Sequence, residues 1–315
     1  MSANRKRILV ALDGSSHALD TVLYLSKVTS PGGVEFVLFS ILPSEPDWFS
    51  DAIYPQTELV SSIGPEWRGR RKSTVEEFMN DASRILNQKG FPAEAITIRM
   101  KEKEIGVARD IILEALNGYD AVVFGRQGTN PITRLVIGSV ASKLIQNLTR
   151  IPLWIVGETN NSNKILVALD GSEGSMRAVE HVGAIVANLE VHLTLLLVIR
   201  SPEEKVVGKG AELRRAVVER PLLDARVEGA AVHTIFEKAY KLLENKGIGR
   251  ERITTKTISG VATRSGTIVV QAISGGYGTI VLGRRGNSLV GEFHMGRVTN
   301  KVIQLAKKMA VWVVN

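Results

Sequence analysis

Two short runs of this 315-residue chain carry residue types that could hold an anion. In the first, Gly125-Arg126-Gln127-Gly128 is followed after nine residues by Gly138-Ser139. In the second, Gly283-Arg284-Arg285-Gly286 is followed after nine residues by Gly296-Arg297. Glycine lets backbone N–H groups approach phosphate oxygens without interference from a Cβ. A helix opening at Gly138-Ser139 would add unpaired N–H donors and the positive end of its dipole, and the Ser139 hydroxyl is one more donor. The same residues also read as a turn, with Ser139 capping a helix. At the second run Arg297 replaces the hydroxyl residue. It could pair with phosphate, fill the site with its bulk, or face solvent. Two aspartates, Asp13 and Asp170, each end an apolar run within Asp-Gly-Ser. In an open α/β sheet that is the level at which ligands bind.

Other chemistries find little support. There is no cysteine, which excludes disulfides, thiol catalysis and Cys-ligated metal. The five histidines lack metal-ligand spacing. No Walker A, H-R-D or G-x-S-x-G signature occurs, so no catalytic residue is assigned. One carboxylate per site is a modest magnesium site. The net charge of +8 is uneven: 18 basic and 17 acidic side chains in residues 1–157 against 22 and 15 in residues 158–315, hence +1 and +7. The basic residues are scattered without interleaved aromatics, so no specific nucleic-acid partner is expected. No apolar run could span a membrane, and Ile8–Leu12 is too short for a signal-peptide core; the expectation is a cytoplasmic protein that keeps its N-terminus.

The elements that would position these residues come in two copies. Arg7–Ser15 (RILVALDGS) recurs as Lys164–Ser172 (KILVALDGS), a shift of 157. Tyr119–Gly125 aligns with Tyr277–Gly283, and Ile151–Val156 with Met309–Val314, each shifted by 158. A near-constant offset over three segments means a duplicated domain, 1–157 and 164–315, joined by a short polar stretch. Within the first copy, Ile8–Leu12, Val34–Leu42, Ile96–Met100, Ala121–Phe124 and Leu153–Val156 read as strands. Ser16–Val28, Thr74–Gln88, Val107–Leu116 and Ser139–Leu148 read as helices. In the second copy, Ile165–Leu169, Leu193–Val198, Ile253–Thr257, Thr279–Leu282 and Val311–Val314 follow suit. The alternation predicts parallel, doubly wound sheets of five strands. Two polar insertions, Pro43–Arg71 and Ser201–Gly229, are expected as lids, contact surfaces or passive loops.

V-A-L-D-G-S, then G-x2-G-x9-G-[ST], then a closing I-P-L-W-I-V resembles the universal stress protein family, over both halves. The resemblance implies a Rossmann-like, adenine nucleotide alpha hydrolase-like fold and an ATP-binding stress-response protein of regulatory or sensory role. AMP or ADP are alternative ligands, and Mg²⁺ an optional companion. It implies phosphate on Gly125, Arg126, Gln127, Gly128, Gly138 and Ser139, with Asp13 near the adenosine and Ile41 beside the base. In the second copy Asp170, Gly283, Gly286 and Gly296 take the corresponding places. A slow ATPase or phosphotransferase, and a nucleotide-free dimerisation scaffold, stand as alternatives. The first site is expected to bind more tightly than the second.

The final strands add an expectation about assembly. Leu153-Trp154-Ile155-Val156 and Val311-Trp312-Val313-Val314 are apolar and carry no charge that would blunt an edge. The resembled family commonly pairs through this strand. Fusion gives each copy an intramolecular partner at high effective concentration, so a pseudo-dimer within one chain is expected, with Trp154 and Trp312 at the joint. Further homodimerisation is left open.

Overall fold

The computed structural model describes residues 5–42, 57–126, 137–157, 162–200, 225–286 and 295–315. The first half runs β1 (Lys6–Ala11), α1 (Ser16–Val28), β2 (Val34–Leu42), α2 (Thr57–Gln88), β3 (Ile96–Glu102), α3 (Val107–Ala115), β4 (Ala121–Gly125), α4 (Ser139–Asn147) and β5 (Leu153–Val156). The second repeats the series: β6 (Lys164–Leu169), α5 (Glu173–Val186), β7 (His192–Arg200), α6 (Ala225–Glu244), β8 (Ile253–Val261), α7 (Arg264–Ser274), β9 (Thr279–Gly283), α8 (Arg297–Leu305) and β10 (Ala310–Val314).

The strands form one sheet in the order β3-β2-β1-β4-β5-β10-β9-β6-β7-β8. Every pairing within a half is parallel. The seam, β5 against β10, is antiparallel, with Trp154 opposite Trp312. The two five-stranded sheets are therefore continuous, as an edge-to-edge pseudo-dimer requires. Order reverses between β1 and β4 and again between β6 and β9, which opens a crevice at each of those carboxyl ends.

Burial on both faces explains the apolar strands. One face packs β-strand side chains such as Ile8, Val123 and Trp154 against α1, α2, α5 and α6. The other packs Leu9, Val122 and Ile155 against α3, α4, α7 and α8. Alternate residues of each strand thus serve opposite layers.

At the seam the two tryptophans are fully buried and stacked, with ring centroids 3.9 Å apart and planes 3° from parallel. Trp312 Nε1 donates to the Tyr24 hydroxyl at 2.7 Å, and that hydroxyl shares a 2.9 Å hydrogen bond with Thr279. Trp154 Nε1 donates to His181 Nε2 at 3.0 Å. Tyr24 and His181 are equivalent by the 157-residue offset. Each tryptophan is thus anchored by a helix of the other half.

One expectation needs correction. α2 begins at Thr57, not Thr74, so the latter part of the expected insertion is helical. The helix runs through Gly64-Pro65 and Gly69, which resemble breaks in sequence. Likewise α6 begins at Ala225, inside the second insertion.

Candidate functional site

Each crevice is built from an Asp-Gly-Ser turn and a glycine loop. After β1, Asp13 Oδ1 accepts from Ser15 N at 3.0 Å and from Ser15 Oγ at 2.6 Å. Asp170 Oδ1 accepts from Ser172 N at 3.0 Å and Ser172 Oγ at 2.5 Å. Aspartate favours such local bonds to the backbone two residues on. The glycine between must be glycine: Gly14 has φ +77° and Gly171 φ +76°. Both carboxylates are exposed. Asp13 Oδ2 has no partner among the described residues.

Across the crevice, Arg126 N donates to Val156 O at 2.8 Å, and Gly138 N donates to Arg126 O at 3.0 Å. The second half repeats the closure: Arg284 N to Val314 O at 2.5 Å, Gly296 N to Arg284 O at 2.9 Å. In this way the start of each glycine loop lies against the start of the following helix. The caps of α4 and α8 are Gly138 and Gly296, and neither receives a side-chain cap bond. Ser139 is the first helical residue rather than the cap, and it is exposed, as is Arg297. The first-turn N–H groups of both helices therefore face the loop without a capping side chain, which suits an anionic oxygen.

Of the residues expected in the first site, Asp13, Gly125, Gly138 and Ser139 are brought to the carboxyl end of the sheet. Gln127 and Gly128 lie outside the described residues. Ile41 ends β2 at the same level but is buried in the core with Ala108 and Ile111. Arg126 differs from the expectation. Its side chain is buried and donates through Nη2 to Ile303 O of the other half, so any part it takes in ligand binding falls to its backbone. The signal was present in the strand period: Arg126 continues the alternation of Val122 and Phe124, which face α3 and α4.

In the second crevice Asp170, Gly283, Gly286 and Gly296 stand in the corresponding places. A Cβ on Gly286 would come within 2.2 Å of Asp170 Oδ2, so the carboxylate lies directly on the glycine loop. A Cβ on Gly283 would meet the Gly174 carbonyl carbon at 2.6 Å. That glycine is required by the packing of α5 against β9.

Two residues of the first half carry no motif. Asp110 is buried, and its carboxylate accepts from Glu104 N, Ile105 N and Gly106 N at 3.0 to 3.3 Å, stapling the loop that follows β3. Burial alone would raise its pKa; the three N–H donors, with Lys101 nearby, outweigh that and hold it below the usual carboxylate range. Its place in the first turn of α3 was the legible signal. Arg71 stands one turn before Val75, the α2 residue whose Cγ2 lies 3.9 Å from where a Gly14 Cβ would be. In the second half Ile235 takes the place of Val75 against Gly171, and Ala231 stands one turn before it.

No group of three His, Asp or Glu side chains among the described residues could hold a metal ion, and no described helix is long and apolar enough to cross a membrane.

The Universal stress protein family matches residues 4–157 and again residues 161–315. Among solved structures, a universal stress protein from Archaeoglobus fulgidus DSM 4304 is similar over 99% of both chains, with 17% identity and a TM-score of 0.62. A functionally unknown protein from Pseudomonas aeruginosa PAO1 is similar over 99% of this chain and 92% of its own, with 14% identity and a TM-score of 0.57. At those identities the likeness is one of fold. No curated protein matches the chain closely enough to compare. Two matches that between them take in nearly the whole sequence settle membership: the chain belongs to the universal stress protein family, as a tandem of two of its domains, and is thus a stress-response protein.

Proposed function

We propose that the protein binds an adenine nucleotide, ATP in the first instance, in the crevice between β1 and β4, and acts as a regulatory or sensory stress-response protein. The observation that carries this is the Gly138 N to Arg126 O closure. It sets the uncapped N-terminus of α4 beside the glycine loop, at the same end of the sheet as Asp13. These groups fit the ligand. Loop and first-turn N–H groups, with the Ser139 hydroxyl, would hold the phosphates. Asp13 would accept from hydroxyls of the ribose, and the buried end of β2 at Ile41 would border the base. A magnesium ion would be shared between phosphate oxygens and at most one carboxylate.

Binding ranks first in this reading, and an ATPase or phosphotransferase role behind it. The test is calorimetric titration of ATP into the full chain and into Gly128→Val. A branched side chain where phosphate must approach should lower affinity by about tenfold or more. Unchanged affinity in that variant would show that the glycine loop is not the phosphate site.

A further inference from the structure

We infer that the helix of each glycine loop is positioned in trans, by the arginine of the other half's loop, so that Arg284 is a positioning residue for the first site. The link to ligand rests on the nucleotide reading above; the positioning itself does not.

Arg126 and Arg284 occupy the same place in the two Gly-Arg-x-Gly loops. Both are buried, 5% and 3% exposed, so neither side chain serves the mouth of its own crevice. Each crosses the seam instead. Arg284 donates through Nη2 to Ile145 O at 2.6 Å and through Nη1 to Leu148 O at 2.8 Å, which are carbonyls at the C-terminal end of α4. Arg126 donates through Nη2 to Ile303 O of α8. Ile303 is the equivalent of Ile145 by the 158-residue offset, so the crossing is reciprocal. A guanidinium there satisfies carbonyls that a helix end leaves unpaired, and it complements the negative end of the dipole. Burial lowers the pKa of Arg284 to about 10, which still leaves it charged at neutral pH.

The same arginines close their own loops through the backbone, as Gly138 N to Arg126 O and Gly296 N to Arg284 O. A continuous path therefore runs from the second loop, through the Arg284 side chain, to the last turn of α4. The nine residues of α4 span about 13 Å. Beyond that short rod lie the first-turn N–H groups of the first site. Fixing one end of so short a helix fixes the other.

The two tethers are unequal. Arg284 holds two carbonyls. Arg126 holds one, and its Nη1 finds no acceptor among the described residues. Ala306, the equivalent of Leu148, is not its partner among them. The firmer tether thus belongs to α4, the helix of the first site.

The experiment compares Arg284→Met, Arg284→Lys and Arg126→Met in the full chain by amide hydrogen exchange and by calorimetry with ATP and with adenosine. Stacking of Trp154 on Trp312, read by near-ultraviolet circular dichroism, reports the intact seam. Without ligand, Arg284→Met should speed exchange at the hydrogen-bonded amides of α4, from Ser142 on, and Arg126→Met at those of α8, from Asn300 on; Arg284→Lys, which keeps the charge, should recover part of the protection. Site-one ATP affinity should fall about tenfold in Arg284→Met, with adenosine affinity changed less than twofold, since only phosphates use the helix start. Arg126→Met, although it lies in the first loop, should affect that site less. Crossed exchange without ATP binding in the wild type would leave the positioning standing and remove the nucleotide reading. Exchange that rises in the mutated half's own helix, or equal loss of ATP and adenosine, would overturn the positioning.

Discussion

At the ends of β1 and β6 the same Asp-Gly-Ser turn folds in the same way, down to the left-handed glycine and the pair of bonds to the aspartate oxygen. The side chains pressing on those turns differ. In the second half Asp170 lies on Gly286, and Ile235 presses where a Cβ on Gly171 would be, at 2.9 Å. In the first half the nearest neighbour of that hypothetical Cβ on Gly14 is Val75 at 3.9 Å. Thr299 ties the second helix to Gly283 O at 2.8 Å, where the first half has Ala141. Duplication has preserved what the backbone does at both crevices, while the side chains at their mouths have diverged. Ser139 stands at one, Arg297 at the other.

The seam, by contrast, needs both halves, and breaking it gives the largest expected effect. Val313 is fully buried in β10 opposite Leu153. Val313→Asp would bury an unpaired carboxylate between the halves, at a cost of about 4 kcal/mol or more. Urea unfolding followed by tryptophan circular dichroism should show the stacked signal lost first, with ATP affinity at the first site less affected. Retention of both the signal and the unfolding midpoint would mean that the seam contributes little.

A smaller effect separates the two halves of the seam from each other. His181 Nε2 accepts from Trp154, so the imidazole must be neutral on that nitrogen; burial depresses its pKa from 6.5 to about 4, against a smaller opposing effect of Asp120 and with Lys6 adding to the depression. Above pH 6.5 the histidine is neutral in both folded and unfolded chains. Between pH 6.5 and 4 the unfolded chain takes up a proton that the folded one refuses, so stability falls across that window. The loss is at most about 3 kcal/mol, since His181 is partly exposed and screening reduces it. His181→Tyr reproduces the Tyr24 arrangement of the other half and should flatten the pH dependence of the urea midpoint. An unchanged slope in that variant would assign the acid sensitivity to other groups.

These contrasts also mark what could be read from the chain alone. The repeat offset exposed the duplication, and with it both crevices and the paired final strands, because an apolar, uncharged edge strand has few other uses. The start of α2 was hidden by Gly64-Pro65 and Gly69, which read as local breaks although the helix runs through them. Arg126 was legible as part of a loop but not in its direction, since crossing to Ile303 depends on how the halves meet, 177 residues apart in sequence. The Asp110 staple similarly depends on the loop path between β3 and α3.

The measurement closest to the centre of the account is a count of ATP sites in the full chain by calorimetry, repeated on Gly286→Val. The first crevice has an exposed serine at the helix start, whereas the second has Arg297 in that place. The account predicts one tighter site that survives Gly286→Val with its affinity unchanged within about twofold. Two sites of equal affinity in the wild type, or loss of all binding in Gly286→Val, would contradict it.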